Sequence, residues 1–229
     1  MCAGGLDAVS AARKKNRIRF FVTAVLSRAK VGWLKRRLTI ISEYLRGLDY
    51  SSTSSQASLG LSPKAVNLGS PSVLAVLEEV VERLQVSNSD RLLDVGCAKG
   101  YALSYFIQHL DCKVAGIEIS AKLAKICRRN IRRQYGVNIE VHNEDATQFK
   151  AFGDFNYFYM YNPFPNEEIL EVVVSRIVQQ SKEDVVLIYN NPRYENIILK
   201  KRFDVIDEFT VPESNNKRVK IYKRSWLEN

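Results

Sequence analysis

Three carboxylates and two asparagine–proline pairs stand at or just after short apolar runs: Asp94, Glu118, Asp145, Asn162-Pro163 and Asn191-Pro192. The densest signal is Asp94-Val-Gly-Cys-Ala-Lys-Gly-Tyr101. An apolar strand that turns through glycines into a helical pattern opens the nucleotide crevice of doubly wound α/β sheets. A side chain at Gly96 or Gly100 would keep a ligand from the backbone. The loop lacks the Lys-Ser/Thr ending of a triphosphate-binding loop, and Ala98 stands where a dinucleotide fingerprint has glycine. Glu118 follows the next apolar run, at a distance where an acid accepts hydrogen bonds from a ribose diol. Cys97 reads as a small residue that fits the loop rather than as a nucleophile.

The elements that must position these residues alternate. Strands are predicted at Arg91–Val95, Lys113–Glu118, Val137–His142, Asn156–Tyr161 and Val185–Asn190, with helices at Tyr101–Leu110, Ala121–Tyr135, Glu167–Gln180 and near Glu195–Lys200. Such alternation implies a parallel sheet covered by helices. Two late strands, Phe203–Phe209 and Arg218–Arg224, are separated only by a turn-rich stretch, so they must pair antiparallel. The expected fold is α/β: a doubly wound, mostly parallel seven-stranded sheet with a C-terminal antiparallel hairpin strand and an N-terminal helical extension. Ser70-Pro71 is expected to cap and start a helix whose stripe is Val73, Leu74, Leu77, Val80, Val81 and Leu84.

Three regions are expected: a basic amphipathic extension (1–50), a Ser-rich linker or lid (51–69) and the main domain (70–229). The extension holds 11 Lys/Arg and 3 acidic residues; the remainder holds 23 and 22. The basic character belongs to the arm, which argues against duplex nucleic acid as the main domain's partner. Residues 13–48 carry two apolar stripes, one of them Leu34, Leu38, Ile41, Leu45 and Leu48. This arm fits a helical layer packed on the domain, a helix lying on an anionic membrane, or an organellar transit peptide. No apolar run approaches the ~20 residues of a membrane span. The four cysteines (Cys2, Cys97, Cys112, Cys127) show no metal-site spacing, with or without His109 and His142, so no metal is expected. Free thiols in a reducing, cytoplasmic compartment are the simplest reading.

Taken in order along the strands, these residues resemble the class I S-adenosylmethionine-dependent methyltransferases. Asp94-Val-Gly-Cys-Ala-Lys-Gly100 is similar to their Asp-x-Gly-x-Gly-x-Gly motif, and the resemblance covers about residues 70–224. It implies S-adenosyl-L-methionine as cofactor. By this resemblance the cofactor is lined by Asp94, Gly96, Cys97, Ala98, Gly100, Glu118, Ile119, Asp145, Ala146 and Tyr161. Glu118 matches the acid on the ribose, and Asp145 the acid that faces the adenine amine. Asn162-Pro163-Phe164-Pro165 partly matches the Asp/Asn-Pro-Pro-Tyr/Phe turn of amino-group methyltransferases. That match implies that Asn162, Pro163 and Phe164 line the acceptor side, with an amine as acceptor. The order of the turn differs, and Ala98 departs from the usual glycine. A negative backbone φ at Ala98 would leave the reading intact, and a positive one needs a physical explanation. Two other classes compete: a non-catalytic module that docks through its arm, and an NAD-linked oxidoreductase, which leaves the terminal hairpin and the Asn-Pro turns unexplained.

Overall fold

The computed structural model describes residues 41–52, 57–59 and 72–226. Seven strands form one sheet in the order β3-β2-β1-β4-β5-β7-β6. They are β1 (Arg91–Val95), β2 (Lys113–Ile117), β3 (Val141–His142), β4 (Tyr157–Tyr161), β5 (Val185–Asn190), β6 (Asp204–Thr210) and β7 (Arg218–Arg224). β1 to β5 run parallel. β7 inserts antiparallel between β5 and β6. The short link between β6 and β7 permits only this reversal, as the sequence requires.

Helices cover both faces. α1 (Leu74–Arg83), α2 (Tyr101–His109) and α3 (Ala121–Tyr135) pack on one side, and α4 (Glu167–Gln180) and α5 (Glu195–Lys200) on the other. All six residues of β5 are buried, as befits a strand covered on both faces. The edges are blunted. β3 shrinks to two residues where a strand over 137–142 was predicted, because it meets β2 only at Gly116–Ile117. β6 carries Asp204, Asp207 and Glu208 and an irregularity at Val205/Asp207. Both devices protect an unpaired strand from edge-to-edge association.

α1 begins at Leu74, with Val73 at its N-cap and no side-chain cap bond, rather than at Pro71. Ser70 and Pro71 lie outside the described residues. Ser72 turns inward instead of capping the helix. Its Oγ lies 2.6 Å from Tyr159 Oη, and Asn190 Nδ2 donates to the same phenol at 3.0 Å. This buried network ties the segment entering α1 to β4 and β5.

Of the predicted N-terminal extension, residues 41–45 are helical and the chain from 46 to 52 lies along α3. Tyr50 Oη donates to Gln134 Oε1 at 3.0 Å, and Asn130 bonds both the amide and the carbonyl of Asp49. The Tyr50 ring meets Tyr101 edge-on at 5.6 Å. Lys99, in the glycine loop, reaches Asp49 Oδ1 at 2.8 Å and the Ser52 carbonyl at 2.5 Å. The boundary expected after residue 50 falls inside this packed segment. The rest of the arm, and most of the Ser-rich stretch, lie outside the described residues; residues 57–59 form one 3-10 turn.

Candidate active site

In a doubly wound sheet the ligand crevice lies beyond the carboxyl ends of the strands, here those of β1, β2, β4 and β5. Its first wall is the loop from Asp94 to Gly100. Gly96 (φ +81°) and Gly100 (φ +83°) adopt left-handed backbone, and so does Ala98 (φ +47°). The positive angle at Ala98 is the outcome that needs explaining, and its hydrogen bonding explains it. The Ala98 N–H donates to Glu118 Oε2 at 2.9 Å. A charge-assisted bond of this kind offsets the roughly 1–2 kcal/mol that left-handed backbone costs an L-residue.

Packing makes the glycines necessary. A Cβ on Gly96 would come within 2.8 Å of Pro163 Cβ, and one on Gly100 within 2.5 Å of Cys127 Sγ. Cys97 is directed into the protein: its sulfur would lie 2.7 Å from a Cβ on Gly116. The hydrogen bond with the Cys127 thiol, and then burial, push the Cys97 thiol well above its ordinary pKa, which disfavours the thiolate. It packs behind the loop and presents only backbone to a ligand.

Two carboxylates meet beneath the loop. Asp94 is 3% exposed. Burial, with the charge of Glu118 adding to it, pushes its pKa up to about 8, against the pull of the Leu103 N–H. Glu118 is also raised by burial, against bonds from the Ser120 and Ala98 amides. Each Glu118 oxygen takes one amide, Oε2 from Ala98 and Oε1 from Ser120 at 2.9 Å. A carboxylate oxygen has two lone pairs, so both keep acceptor capacity for a diol. Two buried acids side by side are costly unless a cation or several donors join them. A ligand bearing an ammonium and ribose hydroxyls supplies both, so the donor set fits S-adenosylmethionine.

Two of the expected cofactor positions have partners of their own. Asp145 is exposed, and its Oδ1 accepts from Thr147 N (2.8 Å) and Thr147 Oγ1 (2.9 Å), so it caps the turn that carries half-buried Ala146. Tyr161 turns toward the residue that precedes β7: Lys217 Nζ donates to its hydroxyl at 3.0 Å. A residue that the motifs did not single out matters here: Asn143 Nδ2 donates to the Glu118 carbonyl (2.9 Å) and the Ile119 carbonyl (3.0 Å). It fixes the backbone that presents Glu118. Lys99, which holds the loop to the 49–52 segment, also escaped the motif reading.

The second wall is the pair of asparagine–proline turns. Tyr161 and Asn190 are register partners on adjacent strands, so Asn162 and Asn191 leave the sheet side by side. Both are left-handed (φ +45° and +55°) although each precedes proline, which favours extended backbone. Strain of roughly 1–3 kcal/mol at each of two matched positions marks a site whose geometry the surrounding fold imposes. Asn162 is buried, and its Oδ1 accepts from Tyr189 Oη at 3.4 Å. Burial pushes Tyr189 up to about 12, which keeps that phenol a donor. Pro163 touches Gly96, so the two walls meet. Phe164 corrects its expected place: it belongs to the core cluster with Met160, Leu170 and Ile197, and supports the turn from behind instead of facing the acceptor side. Both histidines are engaged elsewhere. His142 Nε2 lies 3.1 Å from Glu140 Oε1 with its ring against Phe149, and His109 stacks on Tyr105 at 4.1 Å.

Residues 92–183 match a family model described as a methyltransferase domain. No curated protein sequence matches the chain. Among solved structures, an RNA methyltransferase from Salinibacter ruber in complex with S-adenosyl-L-homocysteine is similar with a TM-score of 0.54 at 16% identity. That likeness covers 69% of this chain and 95% of that one. Magnesium protoporphyrin IX methyltransferase from Synechocystis PCC 6803, with bound SAM, gives 0.52 at 16% identity over 67% and 79% of the two chains. A SAM-dependent methyltransferase from Aquifex aeolicus gives 0.51 at 15% identity over 64% and 87%. At these identities the likeness is one of fold. With the strand order and the reversed seventh strand, it gives this chain a class I, Rossmann-like methyltransferase fold, in which residues 92–183 match a methyltransferase domain.

Proposed function

We propose that the enzyme methylates an amine, held at the turn Asn162-Pro163. The observation that carries this reading is Asn162 itself: a buried, strained asparagine whose carbonyl oxygen is oriented by Tyr189, in a turn that touches the glycine loop through Pro163. Asp94 and the loop backbone hold the methionine part of the cofactor, Glu118 the ribose, and the turn at Asp145-Ala146 borders the adenine. The cofactor supplies an activated methyl group on a sulfonium, which leaves as a neutral thioether. The protein's part is orientation: Asn162 Oδ1 accepts a hydrogen bond from the acceptor N–H and so aims the nitrogen lone pair. An amine carries its own lone pair and needs no strong base, whereas a hydroxyl needs one. The engagement of both histidines away from the crevice therefore favours the amine.

Labelled S-adenosylmethionine incubated with cell fractions tests the reading. Label recovered in N-methyl groups is expected, and label in methyl ethers or in base-labile methyl esters would overturn it. For the residue, Asn162→Ala should lower turnover at least tenfold with cofactor affinity within about twofold. Asn162→Asp, which keeps an acceptor oxygen, should recover most of the activity. Full activity in Asn162→Ala removes Asn162 from the mechanism.

A further inference from the structure

We infer that the outer face of α3, together with the helical stretch 41–45, is a docking surface for an anionic lipid bilayer. α3 contains six basic residues and no acidic one. Its inward face is Leu123, Ala124, Cys127, Asn130, Ile131 and Gln134. Lys122, Lys125, Arg128, Arg129, Arg132 and Arg133 lie on the other side, as helical spacing dictates. Among the described residues Lys122, Lys125 and Arg132 form no ion pair, and Arg129 meets only Asp49, at 3.9 Å. The near-neutral charge of residues 51–229 thus conceals a separation. Basic residues gather on α3, while Glu78, Glu79, Glu82 and Glu213 line a groove of about 580 Å³ beside α1.

A basic helix face alone suits any polyanion. Its neighbour decides. Residues 46–50 bind the C-terminal half of α3, with Arg46 on Gln134 at 3.3 Å and the Arg133 guanidinium on the Gly47 carbonyl. They bring the 41–45 stretch to that end of α3, and there Ile41, Tyr44 and Leu45 are 52%, 81% and 78% exposed. Two large aliphatic side chains and a tyrosine beside a cationic face are what a membrane interface buries; a phosphate backbone offers the aliphatic ones nothing. The arm that leads into this stretch adds ten Lys/Arg before residue 41. The inference concerns where the enzyme works and stands independently of the acceptor proposed above.

Sedimentation of the full chain with phosphatidylcholine vesicles, and with vesicles containing one quarter phosphatidylserine, tests it. Binding to the anionic vesicles alone is expected. At roughly 1 kcal/mol per basic residue near such a surface, Lys122→Glu/Lys125→Glu/Arg132→Glu should weaken it on the order of a hundredfold. Ile41→Ser/Leu45→Ser should also weaken it, and should raise its sensitivity to salt, because less apolar burial remains. An unchanged melting temperature and unchanged S-adenosylmethionine affinity in both variants show that the fold is intact. Equal binding to neutral vesicles, undiminished binding by the triple variant, or capture of RNA with none of vesicles would overturn the inference.

Discussion

The two walls of the crevice are built on different plans. The glycine-loop wall is local: a strand, a glycine turn and a helix, with one carboxylate from the next strand bonded to the turn. The Asn-Pro wall is assembled at long range. Asn162 and Asn191 come together only through the register of β4 on β5, and Phe164, Tyr189 and the Ser72–Tyr159–Asn190 network hold them from behind. The difference shows how the division of labour is encoded. On the function proposed above, the methionine end of the cofactor is held by contiguous residues, whereas selection of an acceptor draws on side chains that converge from several strands. Substitutions in the two walls should therefore fail in different ways.

The largest effect is expected where the walls touch. Gly96→Val puts a branched side chain on left-handed backbone and into Pro163, so S-adenosylmethionine binding by calorimetry should fall below detection. Unchanged affinity would mean that the loop is not the cofactor wall. Next is Glu118→Ala, which removes the proposed diol acceptor and leaves the Ala98 N–H without its partner. A loss of about 10- to 100-fold in cofactor affinity is expected, in contrast with Asn162→Ala, which should spare it.

Asp94 separates binding from stability. Its pKa rises on folding from 3.8 to about 8, so the folded state binds the proton more tightly than the unfolded chain does. Stability from this group is full below about pH 4 and is lost as pH climbs through 8. Asp94→Asn should remove that slope and melt a few degrees higher than the parent near pH 8, while binding the cofactor more weakly. Parallel melting curves for the two proteins from pH 5 to 9 would contradict this. The smallest effect is Ala98→Gly, which relieves left-handed strain and should stabilise the domain by less than about 1 kcal/mol in denaturant titration. Destabilisation there would mean that Ala98 contributes packing that outweighs its backbone strain.

The legibility of these features follows the same division. Residues 91–101 were readable because strand, turn and helix positions follow one another and each residue type answers a local constraint. The terminal hairpin was readable because so short a link cannot make a parallel crossover. The start of α1 was misplaced: Ser-Pro at 70–71 is a good local signal, but the described helix begins at Leu74, and Ser72 is drawn into a buried bond with Tyr159. Phe164 misled because an aromatic beside an Asn-Pro turn can face a ligand or the core, and only packing distinguishes the two. Lys99 and Asn143 carried no motif. Their partners lie at Asp49, Ser52, Glu118 and Ile119, and nothing local marks a lysine or an asparagine for such contacts.

The sequence by itself determined the class of sheet, its reversed seventh strand, the glycine loop and the acid at Glu118, because periodicity, turn chemistry and the limits on crossovers act over short stretches of chain. Tertiary structure decided the rest. It set Ala98 left-handed against Glu118, pressed Pro163 onto Gly96, aligned Asn162 with Asn191, and gathered the basic face of α3 beside exposed Ile41 and Leu45. Each of these depends on which distant residues packing brings within a few ångströms, and short-range spacing does not encode that.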